Sequence, residues 1–229
     1  NERGYLYLSV TGIDDQLFGS PLVQQNVDAA IEHMIANYDV NEDRIFMVGF
    51  SMGGGIVSNY AARHRDPDGI MIAGVGTVSA TLDWVMEYNL GTPGLKSWME
   101  NPFNFGGPPG PNPFLYQQAA AIYHDEASYP PLPGLVDSAG SMSTNLQPVP
   151  TYITYDTGDT ITQVPGVNDA HKLLLDSLGV STQLRIHTGT VNPDTELPAP
   201  HSWAVVDVEE LFDFYDNAAD VDRLPDPFE

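Results

Sequence analysis

The chain of 229 residues contains no cysteine, which excludes disulfide bonds, thiolate metal sites and a cysteine nucleophile. It is also poor in positive charge. Eight lysine and arginine residues stand against 31 aspartate and glutamate residues, so the formal net charge is −23, and only Lys96 and Lys172 are lysines. Because like charges repel, we expect neither nucleic acid nor an anionic membrane surface as a partner.

An acidic, lysine-poor composition is similar to that of salt-adapted or highly soluble secreted proteins, and on that basis we expect a secreted or extracellular location. An acidic protein from an ordinary habitat fits equally well. No run of about 18 apolar residues is present, so no membrane-spanning helix is predicted. With 42% hydrophobic residues, residues 1–229 are predicted to form a single domain with one well-filled core.

Apolar runs alternate with segments of helical periodicity along the chain. Strands are predicted at 5–10, 44–48, 70–75, 149–155 and 183–187, and helices at 20–38, 53–63, 168–178 and 202–215. Ser20 is positioned to cap the first of these helices. The alternation indicates an α/β fold with a mostly parallel sheet and helices on both of its faces.

A long stretch rich in proline, glycine and aromatic residues interrupts this pattern at about 92–148. Segments of this length inside a compact domain are more often lids or binding loops than idle connections, so we expect a lid-like or irregular insertion beside the substrate site. An irregular surface excursion is the alternative. Candidates to line an acyl or aryl pocket are Trp203, Phe103, Phe105 and Phe114, with core packing as the alternative for each.

The segment Gly49-Phe50-Ser51-Met52-Gly53 matches the G-x-S-x-G pattern, between a predicted strand and a predicted helix, where that pattern places a nucleophilic serine. The turn must be tight, and glycines at both ends of the motif are expected to remove side chains that would clash. The helix amino terminus would offer backbone donors to an oxyanion, with the amide of Met52 as the first candidate.

A serine hydroxyl needs a histidine base and a carboxylate that orients the histidine. His201 is the best placed of the six histidines, because it lies directly before the last predicted helix. Asp159 is the preferred acid, in the turn after the strand at 149–155, and Asp156 in the same turn is the competing candidate or a turn cap. This chemistry requires no metal and no organic cofactor.

Three segments resemble the polyhydroxybutyrate-depolymerase and feruloyl-esterase group of α/β-hydrolases. Residues 38–54 read YDVNEDRIFMVGFSMGG and are similar to its nucleophile region, and His201-Ser202-Trp203 is similar to its His-Ser-Trp base segment. The turn Tyr155 to Asp159 resembles its His-Gly-x-x-Asp acid turn, with Tyr155 and Asp156 in place of histidine and glycine. The resemblance implies the α/β-hydrolase fold and a triad of Ser51, Asp159 and His201.

One departure from the group concerns the start of the sheet. The predicted strand ending at Val10 corresponds to the fourth strand of the full fold, so we expect the chain to lack the first strands and the loop that supplies the second oxyanion donor. Loss of one such donor removes about 3 kcal/mol of transition-state stabilisation. We expect an upstream segment or a companion chain to complete the sheet and cover its edge.

These observations favour a serine esterase that forms an acyl-enzyme on Ser51. Its substrates would be feruloyl or acetyl esters, polyesters or small acyl esters. A serine peptidase of the prolyl-oligopeptidase type shares the same triad order and is the enzymatic alternative. A catalytically inactive hydrolase scaffold that acts as a binding module is the alternative from another class.

Overall fold

A four-stranded parallel sheet forms the centre of the protein. The computed structural model describes residues 3–10, 18–124, 136–161 and 164–221. The strands are β1 (Phe46–Phe50), β2 (Gly74–Val78), β3 (Thr151–Asp156) and β4 (Thr182–His187), and they neighbour one another in chain order. All three pairings are parallel, so the carboxyl ends of the four strands and the loops after them meet at one edge of the sheet.

Seven α-helices accompany the sheet in the described ranges. They are α1 (Pro21–Asn37), α2 (Met52–Arg63), α3 (Trp84–Leu90), α4 (Pro93–Met99), α5 (Pro113–Ala119), α6 (Val164–Ser177) and α7 (Val208–Asp216). Short 3-10 turns lie at Glu42–Arg44, Met142–Leu146 and Trp203–Val205. None of the described helices is long and apolar enough to cross a membrane.

The helices lie on both faces of the sheet, as predicted. On one face α1, α2 and α6 contribute to a core that includes Val27, Tyr60, Ile153 and Leu175. On the other face α7 packs against Tyr152 and Phe46. A side chain at Gly76 would place its Cβ 2.7 Å from the Tyr215 hydroxyl, so glycine lets α7 approach the sheet closely. That hydroxyl donates to the carbonyl of Met47 at 2.7 Å and fixes the helix in place.

Some predicted boundaries move. The strand expected at 70–75 forms at Gly74–Val78 instead. Met71 and Ile72 are buried in the segment before this strand but do not belong to the ladder. Apolar character reports burial, not strand pairing. Ser20 precedes α1, but its hydroxyl makes no cap hydrogen bond. The last helix begins at Val208 rather than near Ser202, since the Asp207 side chain accepts from the amide of Glu210 and starts α7 there.

The prediction of a strand at 5–10 was wrong, because these residues form no strand in the structure. β1 is the edge strand of the described sheet, and residues 5–10 do not enter a ladder with it. Leu6 and Tyr7 are exposed. The segment is held instead through Tyr5, whose hydroxyl donates to Asp216 at 2.7 Å, and through Arg3, which pairs with acidic residues of α7.

The region 92–148 is more ordered than an irregular excursion, although residues 125–135 lie outside the described ranges. It contributes α4, α5 and the 3-10 turn Met142–Leu146. Phe105 is 1% exposed and stacks on Tyr116 at 4.0 Å between ring centroids, within a cluster that also contains Trp84. The expectation that Phe105 lines a substrate pocket was therefore wrong, because its ring is enclosed in core.

Candidate active site

Ser51 occupies the sharp turn between β1 and α2. Its backbone has φ 53° and ψ −123°, a conformation that a non-glycine residue adopts only when its surroundings enforce it. Two hydrogen bonds do so: the Ser51 amide donates to the carbonyl of Val78 at 2.8 Å, and the Thr81 amide donates to the carbonyl of Ser51 at 3.0 Å. The end of β2 thus holds the turn from outside.

The glycines of the motif differ in what they provide. A Cβ at Gly49 would lie 2.1 Å from the carbonyl oxygen of Gly53, so glycine is required there, as expected. A Cβ at Gly53 would meet nothing within 4 Å, so the expected clash at that end of the motif was wrong. The close approach falls on the next residue, Gly54, whose Cβ would lie 2.4 Å from that of Ala80.

Ser51, His201 and Asp159 come together in one hydrogen-bonded row. The Oγ of Ser51 lies 2.9 Å from Nε2 of His201, and Nδ1 of His201 lies 2.7 Å from Oδ2 of Asp159. Asp159 is 2% exposed, whereas the imidazole is partly open to solvent. A carboxylate beside Nδ1 favours the tautomer with the proton on Nδ1, which leaves Nε2 free to accept from the serine hydroxyl.

The sheet explains why residues so distant in sequence meet. Ser51 follows β1, Asp159 follows β3, and His201 lies in the segment after β4. All three therefore project from the edge where the parallel strands end, which is the usual place of ligand sites in such sheets. The turn of Asp159 is further fixed by its other oxygen, which accepts from the amide of Ile161 at 3.0 Å.

Asp156, the competing acid candidate, has a different set of contacts. Its side chain is fully buried; Oδ1 accepts from the amide of Gly158 at 2.7 Å, and Oδ2 accepts from the amide and hydroxyl of Thr190 at 2.7 and 2.5 Å. Burial alone would raise the pKa of Asp156, but the hydrogen bonds from Thr190 and Gly158 outweigh it and leave the pKa lowered. Both oxygens are engaged away from His201.

These contacts connect the acid turn to the segment that carries His201. The carbonyl of Thr190 accepts from the amide of Ala199 at 2.8 Å, and the carbonyl of Ala199 accepts from the hydroxyl of Ser202 at 2.8 Å. Asp156 therefore anchors one end of a chain of hydrogen bonds that runs through Thr190 and Ala199 to Ser202, and the last two flank His201 in sequence. The sequence contains one sign of this arrangement, since aspartate stands where the resembled group has glycine.

Two aromatic rings adjoin the imidazole of His201. The ring of Phe50 lies 4.7 Å from it and 5.5 Å from the ring of Trp203, centroid to centroid. Trp203 is 53% exposed, so it borders the site at the surface. The sequence pattern did not single out Phe50. Phe103 and Phe114 are exposed on the 92–148 region, and their part in a pocket stays a prediction.

The amino end of α2 lies directly after Ser51. The first amides of a helix have no partner within the helix, and the Met52 amide is the first of them. Its position agrees with an oxyanion donor, and that role stays a prediction. Across the described ranges, no three histidine or acidic side chains come together in a group that could hold a metal ion.

No known family model and no curated protein matches the chain. Solved structures do match it. The chain aligns with the EstE5–PMSF structure (TM-score 0.54, 16% identity, 89% of this chain and 63% of that one) and with an esterase/lipase from an uncultured bacterium (0.53, 15%, 86% and 61%). It also aligns with the Pyrococcus horikoshii acylaminoacyl peptidase (0.52, 14%, 75% and 24%).

These likenesses, together with the parallel sheet and the helices on both faces, show that the protein has the α/β-hydrolase fold. The chain spans about three fifths of the length of the two esterase chains and about a quarter of the peptidase chain. Membership in the polyhydroxybutyrate-depolymerase and feruloyl-esterase group stays a prediction.

Proposed function

We propose that the protein is a serine esterase that forms an acyl-enzyme on Ser51. The observation that carries the proposal is the row Ser51–His201–Asp159, with consecutive separations of 2.9 and 2.7 Å, on a serine held in a strained turn. A serine hydroxyl within hydrogen-bond reach of a histidine that a buried carboxylate orients is the arrangement that nucleophilic catalysis needs.

In the proposed reaction, the Ser51 oxygen attacks the ester carbonyl carbon while its proton passes to Nε2 of His201. The negative oxygen of the tetrahedral intermediate lies at the amino end of α2, where the Met52 amide donates to it. His201 then protonates the leaving alkoxide oxygen as the ester C–O bond breaks. A water molecule then attacks the acyl-enzyme while its proton passes to the same imidazole. His201 returns that proton to the Ser51 oxygen as the acyl C–O bond breaks and the acid is released.

The surroundings of the triad favour an ester with an apolar or aryl portion. Phe50 and Trp203 provide aromatic surface beside the imidazole, and the exposed side chain of Ile161 adds apolar surface next to the acid turn. Feruloyl and acetyl esters, hydroxyalkanoate polyesters and small acyl esters all fit this description. The net charge of −23 favours neutral substrates over polyanionic ones.

A substrate panel tests the proposal. Purified protein would be assayed with p-nitrophenyl acetate and butyrate, methyl ferulate, polyhydroxybutyrate particles and a prolyl p-nitroanilide peptide. We expect hydrolysis of esters that is abolished in Ser51→Ala and retained in Ser177→Ala, a control serine at the end of α6 whose hydroxyl donates to the carbonyl of Leu174.

The other outcomes distinguish the esterase from the two alternative functions. Cleavage of the prolyl peptide alone would indicate a peptidase. A folded protein that hydrolyses none of these substrates would indicate an inactive scaffold, and hydrolysis that survives Ser51→Ala would remove Ser51 from the mechanism.

A further inference from the structure

A second candidate site lies at the opposite end of α2 from Ser51. A cavity of about 580 Å³ opens there, between the carboxyl end of α2 and the 3-10 turn Met142–Leu146. Its polar lining comes from Arg63, Arg65 and Asn145, together with Thr144 and Gln147. The 12 residues of α2 rise about 1.5 Å each, so this cavity lies about 18 Å from the nucleophile.

The two arginines in this cavity differ from the other arginines that the structure describes. Arg3, Arg44 and Arg185 each pair with at least one carboxylate. Within the described ranges neither Arg63 nor Arg65 has a carboxylate partner, in a chain with 31 acidic residues against 8 basic ones. Two of the described cations without a carboxylate partner therefore lie side by side at this cavity.

Arg65 carries the stronger signal of the pair. Its Nη1 atom is buried and has no hydrogen-bond partner among the described residues, and burial lowers the pKa of its guanidinium group. The acidic residue next in sequence, Asp66, is engaged in its own turn, where its Oδ1 accepts from the amide of Asp68 at 3.0 Å. A buried donor on a charged group that makes no hydrogen bond is unfavourable, and an anion close to the guanidinium offsets that cost by stabilising its positive charge.

We infer that this cavity binds a small organic anion through Arg65 and Arg63. Since Nη1 is buried, Nε and Nη2 are the pair of donors on the planar guanidinium of Arg65 that can match the oxygens of a carboxylate or a phosphate. Asn145 and Thr144 supply further polar atoms, while Met142 and Pro148 provide apolar surface for the body of the ligand. The cavity is open to solvent, so the body of the ligand stays partly exposed.

The inference does not depend on catalysis, so binding is the readout. Isothermal titration calorimetry at constant ionic strength, maintained with sodium chloride, would use three probes: inorganic phosphate, acetate and benzoate. We expect saturable binding, with benzoate tighter than acetate if the apolar wall contributes. Phosphate binding tighter than benzoate would assign the same arginines to phosphorylated ligands rather than carboxylates.

Three variants locate the binding. Arg65→Gln is expected to weaken binding at least about tenfold, the loss of one charge-assisted hydrogen bond. Arg65→Lys keeps the charge without the paired donors and is expected to weaken it less. Arg185→Gln, which removes an arginine at the far edge of the sheet, is the matched control and is expected to bind like the wild type.

Two results would overturn the inference. One is the absence of saturable binding for all three probes. The other is binding that Arg65→Gln and Arg65→Lys leave unchanged while both variants remain folded by circular dichroism. If Arg65→Gln does not fold, Arg65→Lys alone decides.

Discussion

Asp156 is the residue whose contacts bear most directly on the geometry of the triad without belonging to it. Replacement by asparagine removes the charge and presents an amide group to donors on Gly158 and Thr190. Since hydrogen bonds to charged groups contribute about 1.5–3 kcal/mol, we expect kcat for a p-nitrophenyl ester to fall about 10- to 100-fold with KM little changed. Steady-state kinetics measures the split between the two constants.

Asp169→Asn is the matched control for this change. Asp169 accepts a hydrogen bond from the hydroxyl of Tyr155, which lies on β3 beside Asp156, but it does not contact the His201 segment. It should leave kcat nearly unaltered. Equal losses in both variants, or an effect on KM alone, would show that Asp156 does not position His201.

His171 provides a prediction on pH and stability. It is fully buried, burial lowers its pKa to about 4, and its Nε2 lies 2.9 Å from the hydroxyl of Ser143. Because the folded-state pKa lies below the unfolded value, the unfolded state binds the proton first. The stabilising contribution of neutral His171 is therefore fully present above about pH 6.5. As the pH falls towards 4, the free energy of unfolding decreases by about 3 kcal/mol.

Urea denaturation at several pH values measures this loss, with His171→Gln as the comparison. The variant keeps a hydrogen-bonding side chain but does not titrate, so its stability should fall less steeply between pH 6.5 and 4. Parallel curves for the two proteins would contradict the assignment.

At this scale a residue could be predicted from the sequence where its type and its loop position suffice, but not where the direction of its side chain decides. Ser51, Asp159 and His201 could be selected because few residues of the right type follow the predicted strands. Phe105 could not be placed, since an aromatic residue in an irregular segment is compatible with both core and pocket. The unpaired state of Arg65 depends on tertiary contacts that no local pattern reports.

Among the structural elements, the junction of β1 and α2 is the most constrained. A Cβ at Gly54 would lie 2.4 Å from the Cβ of Ala80, whereas a Cβ at Gly53 would meet open space. We expect Gly54→Ala to lower the free energy of unfolding by about 1–3 kcal/mol, as overpacking does. Gly53→Ala should be neutral or raise it by up to about 1 kcal/mol, because alanine is the better helix former.

Chemical denaturation of the two variants side by side tests this difference. Equal destabilisation would mean that the helix packs less closely on the end of β2 than the structure shows. At this junction the strand, the turn and the helix could all be predicted from the sequence. Which of the two adjacent glycines is sterically required could not, because it depends on the position of Ala80.

The strands show the same contrast between what the local sequence predicts and what depends on tertiary contacts. Three of the four strands were expected from apolar runs, because buried parallel strands have that composition. The fourth, β4, was also expected, although its sequence mixes polar and apolar residues and none of them is buried. The segment 5–10 is also apolar but forms no strand, because a strand needs paired backbone groups and these residues do not pair with β1 at the edge of the described sheet. Local pattern cannot supply that information.

For the molecule as a whole, charge is the dominant feature. With a net charge of −23 on 229 residues, the acidic side chains repel one another in the folded state, and salt screens that repulsion. We expect the melting temperature to rise as sodium chloride is increased from about 10 mM to 1 M, where the screening length falls from about 30 Å to 3 Å. Differential scanning calorimetry measures the shift, and sucrose serves as an uncharged control. A melting temperature indifferent to salt would show that the acidic residues are spaced too widely to repel.

The most direct test of the account is covalent labelling of the nucleophile. A fluorophosphonate probe reacts with a serine only when a neighbouring base activates it. The account predicts stoichiometric modification, located by peptide mass spectrometry at Ser51, and its loss in both Ser51→Ala and His201→Ala. A folded protein that takes up no probe, or one that is modified at another serine, would contradict the claim that Ser51 is an activated nucleophile.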